Sequence, residues 1–240
     1  MLDTRTPSVA RAYDHLLGGE ASFAADRALA GRLLALYPRL QDTLIASRTQ
    51  VADAVARIAT HGVDQYLDLG AGLPTRPSTH TTARALLPAA RVVYVDRDPL
   101  VVEHGTDLVP PGVRYHGGDL TEPEALLAAL AGTIDFSRPV CLVLALVVQA
   151  LEPGTARAVV GVLVKPLPPG SYLVATLGAG DAGRLPDAVW PAAATEADLA
   201  AFFGGLDLLP PGISRHGEVL SGVGVKPHPS GPHDSRTPRG

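Results

Sequence analysis

Short apolar runs alternate along the chain with amphipathic segments of helical period. The run from Cys141 to Val148 is apolar on both faces, which is typical of a strand covered by helices on each side. This alternation predicts an α/β fold with a doubly wound, mostly parallel sheet. The predicted strands are 65–69, 91–95, 113–117, 140–147 and 171–177, and the predicted helices lie near 78–87, 98–108, 122–131 and 154–165.

The N-terminal part carries helical periodicity throughout and predicts a helical cap that precedes the sheet. A first helix begins after Pro7 and ends at Gly18-Gly19, since paired glycines favour a helix stop. A second helix is expected at 24–36. A third is expected to begin near Asp42 as its N-cap and to end at His61.

The C-terminal part predicts the strands that close the sheet. A loop rich in Gly, Pro and Ala spans Gly178 to Ala194, and a helix from Thr195 to Phe203 follows it. Two strands, near 206–209 and 218–225, are expected to form an antiparallel hairpin and bring the sheet to seven strands. The last residues are rich in Pro, Gly, Ser and His and predict disorder. The expected organisation is one domain with a helical cap at 1–62, a core at 63–226 and a tail at 227–240.

Composition and charge exclude several classes of protein. The chain has 240 residues, of which 46% are hydrophobic, and this is enough for one well-filled α/β domain. Its net charge is −4 and it shows no basic stripe, which argues against a nucleic-acid partner. The longest apolar run, Val140 to Val148, is too short to cross a bilayer. The single cysteine, Cys141, lies in that run and predicts a buried, inert thiol in a cytoplasmic protein.

A glycine turn follows the first predicted strand. The strand leads into Gly70-Ala71-Gly72, and Asp68 lies two residues before the first glycine. The second strand ends on another acid, Asp96, which suits hydrogen bonds to a ribose diol. A dinucleotide site would favour a third glycine at the helix start and no charge before the first one. The pattern therefore predicts a nucleoside ligand with a cationic group and no pyrophosphate, namely S-adenosylmethionine.

Each feature at a strand end predicts one contact with that ligand, because open α/β sheets bind ligands there. Gly70 and Gly72 are expected to let the main chain pass under the methionine and ribose. Asp68 is expected to face either the ammonium group or a water molecule held near it. Asp96 accepts both ribose hydroxyls, and Asp119 accepts the adenine amino group. The other expected positions in these motifs are Arg97, Gly118, Leu120 and Ala145.

Arg48 interrupts an apolar stripe of the third helix that contains Leu44 and Val51. One interpretation is an arginine that extends its apolar stem towards solvent. The other is a bidentate clamp on the methionine carboxylate, with Asp68 or Asp14 as its partner in the empty protein. Because a buried, unpaired guanidinium is costly, we expect an anionic partner and a place in the cofactor site.

Methyl transfer from a sulfonium needs alignment and exclusion of water more than acid–base help. The sequence leaves the catalytic residues open, with Tyr13, His15, His80 and Gln149 as candidates. Tyr13 and His15 lie before the double glycine, and their helix is either a packed amphipathic segment or a lid over the cofactor. His80 either makes a hydrogen bond at a helix terminus or reaches a substrate. No histidine pair has helical spacing with a carboxylate partner, so no metal site is predicted.

Seven segments of the chain form a set of motifs that match one family: 7–19, 23–27, 68–75, 92–96, 135–140, 169–174 and 202–206. In these segments the chain resembles the actinobacterial S-adenosylmethionine-dependent methyltransferases formerly grouped as DUF574. The resemblance runs from residue 5 to about 215 and implies a class I methyltransferase fold, Rossmann-like, with a helical N-terminal cover. It adds Thr75, which ends the matching glycine segment, to the expected cofactor site.

The chain departs from the family pattern around the expected substrate mouth. Ser47 and Ser78 stand where the family usually has Asn, and Gln149 stands where it usually has His. The insert after the fifth strand is also shorter. We predict a methyltransferase acting on a small molecule, with a secondary metabolite as the expected substrate. The alternatives are an S-adenosylmethionine-binding protein or non-methylating catalyst on the same fold, and then a nicotinamide-dependent oxidoreductase. The sequence predicts no oligomeric state.

Overall fold

The computed structural model describes residues 3–179 and 194–229. Its first three helices form the cap and pack around their own apolar cluster, which includes Leu16, Leu33 and Leu44. The expectation that Asp42 caps the third helix was wrong, because that helix already begins at Leu40. Asp42 lies in the first turn, where an acid complements the positive end of the helix. The cap helices are α1 (Val9–Leu16), α2 (Ala24–Leu36) and α3 (Leu40–Thr60).

Strands and helices alternate after the cap, as the sequence predicts. None of the helices within residues 3–179 and 194–229 is long and apolar enough to cross a membrane. The strands are β1 (Gln65–Leu69), β2 (Arg91–Asp96), β3 (Val113–Gly117), β4 (Cys141–Ala145), β5 (Tyr172–Gly178), β6 (Asp207–Leu208), β7 (Ser214–His216) and β8 (Val219–Val225). The helices are α4 (Thr79–Leu86), α5 (Pro99–Leu108), α6 (Pro123–Leu130), α7 (Pro153–Val164) and α8 (Glu196–Ala200), with 3-10 turns at Val148–Ala150 and Ala201–Phe203.

The strands form one sheet in the order β3-β2-β1-β4-β5-β8-β6, with β7 paired to β8. Strands β1 to β5 are parallel and β8 is antiparallel to β5, which confirms the doubly wound α/β class. The path from β3 to β6 contains seven strands, as predicted. The three-residue β7 adds an eighth strand, antiparallel to β8. A strand this short gives too few alternating positions for the sequence pattern to identify it.

Each face of the sheet carries its own apolar cluster, because successive strand residues point to opposite faces. Leu67 and Leu142 belong to the cluster that α6 and α7 cover. Tyr66 and Val143 belong to the cluster on the other face, which the C-terminal half of α3 covers. Helices on both faces explain why the β4 run is apolar throughout. The sheet is therefore packed on both faces behind the strand ends that form the site.

Strand β4 is shorter than the predicted 140–147. It ends at Ala145, and the next residue, Leu146, has a φ of 54°. This is the left-handed region, which a branched side chain rarely occupies and which interrupts a strand. The backbone then turns into the 3-10 segment at 148–150, so residues 146 and 147 lie at the edge of the sheet.

Two of the predicted segments fall outside the described residues. These are most of the Gly-, Pro- and Ala-rich loop from Gly178 to Ala194, at 180–193, and the end of the predicted tail, at 230–240. The first residues of that tail continue from β8 and are described as far as 229.

Candidate cofactor and acceptor site

The carboxyl ends of β1 to β4 open into one cavity beneath the cap. Its volume is about 930 Å³, which lies in the range of small-molecule sites. The strand ends form its floor, and α1 and the first half of α3 form its other walls. Helices from the cap and motifs from the sheet thus border a single space, which can hold a cofactor together with a second molecule.

The turn after β1 places two glycines against the cavity. Gly70 and Gly72 have φ values of 64° and 61°, a region that glycine adopts without steric cost. A Cβ atom on Gly70 would overlap the side chain of Val147, which follows β4. The turn therefore brings bare main chain to the cavity wall, as the sequence predicts for a site that cradles a ligand.

Asp96 ends β2 and lies directly beside this turn. Its Oδ2 accepts a hydrogen bond from the main-chain amide of Gly72 at 2.9 Å, and its Oδ1 accepts one from the amide of Asp98 at 3.0 Å. The carboxylate is 7% exposed, and its burial raises its pKa above the ordinary value. Each oxygen accepts one main-chain bond and retains capacity for another, so a ribose diol fits this acid.

Asp68 lies on β1 in the same cavity wall. Its Oδ2 accepts a hydrogen bond of 2.6 Å from the hydroxyl of Thr79, the first residue of α4. Burial raises the pKa of Asp68 to about 6, and the nearby charge of Arg48 acts in the opposite direction. The group is ionised near neutral pH and suits a cationic ammonium. Thr79 is a positioning residue that the sequence did not single out.

Asp119 borders the far end of the cavity after β3. Its Oδ1 accepts hydrogen bonds from the amide and the hydroxyl of Thr121, both at 2.8 Å. These bonds lower its pKa, so the group stays ionised, and Oδ2 remains for a donor such as an adenine amino group. Three other predicted cofactor residues of this end, Arg97, Gly118 and Leu120, also line the cavity.

Arg48 lines the cavity, as expected, but the expectation that Asp68 or Asp14 pairs with it was wrong. Its Nη1 donates to the carbonyl of Thr75 at 3.0 Å, and its Nη2 donates to the carbonyl of Leu73 at 3.2 Å. Within the described ranges it forms no ion pair with Asp68 or Asp14. Main-chain carbonyls satisfy part of the guanidinium, and its remaining N–H groups are available to a carboxylate. Thr75 serves the site through its carbonyl and does not line the cavity.

A buried ion-pair network fastens the cap to the cofactor motifs. Arg11 of α1 is 2% exposed, and its Nε lies 2.9 Å from Oδ2 of Asp26 at the start of α2. Its Nη1 lies 2.7 Å from Oδ2 of Asp98, the residue that caps α5. Its Nη2 also donates to the carbonyl of Thr6 at 2.8 Å. Sequence spacing gave no signal for this network, because its partners lie 15 and 87 positions away.

The predicted catalytic candidates separate by position. Tyr13 of α1 lines the cavity, whereas His15 lies on the exposed face of the same helix. His80 is buried behind the wall, and its Nδ1 lies 2.9 Å from the hydroxyl of Tyr94. Burial lowers the pKa of His80, so it is neutral at physiological pH. Neither histidine reaches the cavity in the described structure.

Gln149 also lies behind the cavity wall. Its Oε1 accepts a hydrogen bond of 2.7 Å from the main-chain amide of Gly178, which ties the 3-10 turn to the end of β5. Its Nε2 is buried without a partner in the described structure. The side chain therefore supports the strand ends rather than bordering the cavity. Ala145, the last residue of β4, does line the cavity, as predicted.

A pair of buried hydroxyls connects α3 to β5, beside the end of β4. The hydroxyls of Ser47 and Thr176 lie 2.7 Å apart. The amide of Leu146 donates to both the carbonyl and the hydroxyl of Thr176, at 3.1 and 3.2 Å. Ser47 and Leu146 both belong to the cavity wall. In the sequence, Ser47 differs from a family pattern, but nothing near it predicts this contact.

Comparisons with known proteins agree with this geometry. The sequence profile of a family described as S-adenosyl methyltransferase matches residues 1–219. Among curated proteins, no sequence matches the chain significantly.

Three solved structures illustrate the similarity. A candidate methyltransferase from Thermobifida fusca is 35% identical, with a TM-score of 0.84 over 94% of this chain and 97% of that one. A DUF574 family protein from Streptomyces avermitilis is 32% identical, with a TM-score of 0.85 over 95% of this chain and 100% of that one. The N-methyltransferase NodS from Bradyrhizobium japonicum, solved with S-adenosyl-L-homocysteine, is 16% identical. It has a TM-score of 0.51 over 74% of this chain and 86% of that one, and so shares the fold alone.

Proposed function

The chain belongs to the S-adenosyl methyltransferase family, and we propose that it methylates a small molecule held between the cap and the strand ends. The observation that carries this proposal is a cavity of about 930 Å³ that both the cofactor motifs and the cap helices line. A cavity closed by its own N-terminal helices suits a compact acceptor. The net charge of −4 gives no support to a nucleic-acid substrate.

The residues present fit S-adenosylmethionine. When bound, this cofactor supplies an electrophilic methyl group on a sulfonium. We assign Asp96 to the ribose hydroxyls and Asp119 to the adenine amino group, since both present carboxylate oxygens to the cavity. Asp68 and Arg48 are assigned to the ammonium and carboxylate of the methionine part, because their charges are complementary to those groups. The bare main chain at Gly70 allows the close approach that this arrangement needs.

The acceptor is expected to react without a protein base. Within the described ranges, the cavity wall contains no histidine, lysine or glutamate. Its acids are the aspartates at the cofactor motifs and Asp3 near the chain start. Burial raises the pKa of the Tyr13 hydroxyl far above its ordinary value, so this group keeps its proton. The chain therefore acts by holding the reactants in line and excluding water. An acceptor that loses its proton readily, or carries a free lone pair, suits such a site.

We extend the proposal to a secondary metabolite in the cytoplasm of an actinobacterium. Support for the source comes from the relatives in Thermobifida fusca and Streptomyces avermitilis. The chain has one cysteine, Cys141, which is buried, so its fold relies on no disulfide bond, as is usual for cytoplasmic proteins.

The test is incubation of the protein with methyl-labelled S-adenosylmethionine and an extract of the source cell, followed by mass spectrometry. We expect the label in a small molecule, and slower transfer by an Asp96→Ala variant when the cofactor concentration is low. Label in a protein or an RNA would contradict the substrate class. No label anywhere, with intact calorimetric binding of S-adenosylhomocysteine, would instead identify a binding protein or a non-methylating catalyst.

A further inference from the structure

We propose that Ser47 donates a hydrogen bond to an oxygen atom of the methyl acceptor, so that the site selects small molecules that present a hydroxyl, phenolate or carbonyl oxygen there. This inference rests on the proposed function, because it needs an acceptor in the cavity. It concerns a position on α3 to which neither the cofactor motifs nor the comparisons assign a role.

The hydroxyl pair belongs to a strained part of the cavity wall. Leu146 has a φ of 54°, and its amide donates to Thr176 Oγ1 at 3.2 Å as well as to the Thr176 carbonyl. The Ser47 hydroxyl lies 2.7 Å from the same Oγ1 atom. Unfavourable backbone angles persist where surrounding contacts hold them, and such positions cluster at functional sites. Here the Thr176 hydroxyl that holds the Leu146 amide is also in contact with the Ser47 hydroxyl.

The burial of Thr176 fixes the direction of the protons. Its Oγ1 accepts the amide proton of Leu146 and has a proton of its own to place. The residue is 0% exposed, so a proton without an acceptor would cost the full desolvation penalty. In the described structure this hydroxyl donates to no main-chain carbonyl, and its partners are the Leu146 amide, which is itself a donor, and the Ser47 hydroxyl. Thr176 therefore donates to Ser47.

The proton of Ser47 is then left for a bound molecule. Two other hydroxyls of α3, those of Thr43 and Thr49, donate to carbonyls four residues earlier, at 3.1 and 2.9 Å. Ser47 makes no such bond in the described structure, although its helical position is equivalent. It lies in the cavity wall, where a ligand oxygen can accept its proton. The hydrogen bonds thus run from Leu146 through Thr176 and Ser47 towards the cavity.

The order of the strands places this donor on the acceptor side. Thr176 lies on β5, which is separated by β4 from β1 and β2, the strands that carry Asp68 and Asp96. Arg48 lies one position further along α3 and is turned to the carbonyls of the glycine loop. The wall around Ser47 includes Leu44 of α3. An apolar body with one oxygen directed at Ser47 fits this part of the cavity.

The experiment uses methyl-labelled S-adenosylmethionine and the low-molecular-mass fraction of source-cell extract. Initial rates of transfer are compared for the wild-type protein, Ser47→Ala, Thr176→Val and Thr176→Ser. Thr49→Ala on the same helix is the control, because its hydroxyl is exposed and bonded to its own helix. Calorimetry with S-adenosylhomocysteine and thermal unfolding are run on every variant.

We expect Ser47→Ala to lower transfer at low acceptor concentration by about tenfold, the factor for one lost hydrogen bond. Thr176→Val should cause a smaller loss that Thr176→Ser restores, and Thr49→Ala should behave as the wild type. The affinity for S-adenosylhomocysteine should stay within about twofold in all of them. The labelled product should contain an oxygen atom.

Three results would overturn the inference. Unchanged transfer by Ser47→Ala would show that no bond to the acceptor is lost. A tenfold loss of S-adenosylhomocysteine affinity in that variant would place Ser47 on the cofactor. A labelled product without oxygen would exclude the substrate class. If the wild type binds S-adenosylhomocysteine and labels nothing, the proposed function fails and this inference fails with it.

Discussion

The main-chain amide of Gly72 donates a hydrogen bond of 2.9 Å to the carboxylate of Asp96, so the turn after β1 is fastened to the end of β2. The second oxygen of the same carboxylate accepts from the amide of Asp98 and fastens the turn before α5. One acid thereby holds two turns of the cofactor site in place before a ligand arrives. A site that is organised in advance loses less entropy when it binds its ligand.

Replacement of Asp96 by alanine should weaken binding of S-adenosylhomocysteine. The ribose hydroxyls would lose their acceptor, and we expect a loss of roughly 1–3 kcal/mol in binding free energy. Calorimetry measures this directly. Asp53→Ala, on the exposed face of α3, is the matched control and should bind as the wild type. Equal affinity in Asp96→Ala would exclude the ribose contact.

Replacement of Arg48 by lysine tests the clamp on the methionine carboxylate. Lysine retains the charge but lacks the planar fork, so S-adenosylhomocysteine should bind about tenfold more weakly. Binding of 5′-methylthioadenosine, which lacks the amino acid part, should be unchanged. If both ligands lose affinity equally, Arg48 serves only to support the glycine loop through the carbonyls of Leu73 and Thr75.

Asp68 should make stability depend on pH. Burial raises its pKa in the folded protein from an ordinary 3.8 to about 6, so between these values the folded state holds a proton that the unfolded state has released. Stability contributed by this group therefore falls as pH rises from about 4 to 6 and stays lower above. Asp68→Asn should be more stable than the wild type at pH 8, by an amount on the order of 3 kcal/mol, and equal to it near pH 4.

Urea unfolding of both proteins at several pH values measures this difference. A constant difference across pH would show that Asp68 does not titrate in this range. We also expect S-adenosylhomocysteine to bind the wild type more tightly as pH rises through about 6. The ammonium group of this ligand pairs with the Asp68 carboxylate only when that carboxylate is ionised. Asp68→Asn should lose that pH dependence together with affinity.

Two glycines of the cap should respond in opposite directions to alanine. A Cβ atom on Gly19 would overlap the carboxylate of Asp14, so Gly19→Ala should lower the free energy of unfolding by about 1–3 kcal/mol. Gly31 lies inside α2, and a Cβ atom added there would meet no described atom within 4 Å. Gly31→Ala should therefore raise the free energy of unfolding by about 0.5–1 kcal/mol. Urea unfolding distinguishes the two. A stabilising Gly19→Ala would contradict the tight packing between this loop and α1.

The cofactor motifs were predictable from sequence because their signals are local. Asp68 and the two glycines belong to one strand and its turn, and Asp96 ends the next strand. Parallel strands bring such ends to a single edge, so their proximity follows from the fold class. The predicted strands at 65–69 and 113–117 match β1 and β3 for the same reason.

The contacts between distant segments had no such signal. The Arg11–Asp98 ion pair joins residues 87 positions apart, and the Ser47–Thr176 pair joins residues 129 positions apart. The end of β4 was misplaced because Leu146 is apolar like the strand before it, although its backbone is left-handed. The sequence correctly predicts Arg48 in the cavity wall. It does not predict the partners of Arg48, because every residue has a main-chain carbonyl and no side chain marks the two that accept from it.

Arg11 lies where three segments meet, so its replacement affects α1, the start of α2 and the start of α5 together. Loss of one acid would leave the buried Arg11 guanidinium without part of its counter-charge. It would also remove an acceptor of main-chain hydrogen bonds, because Asp26 accepts from the amides of Ser8 and Phe23 and Asp98 accepts from that of Leu100. Descendants of this chain should therefore exchange Arg11, Asp26 and Asp98 as a set or keep all of them. A cap transplanted from a relative should work only when the residue facing it from α5 is transplanted as well.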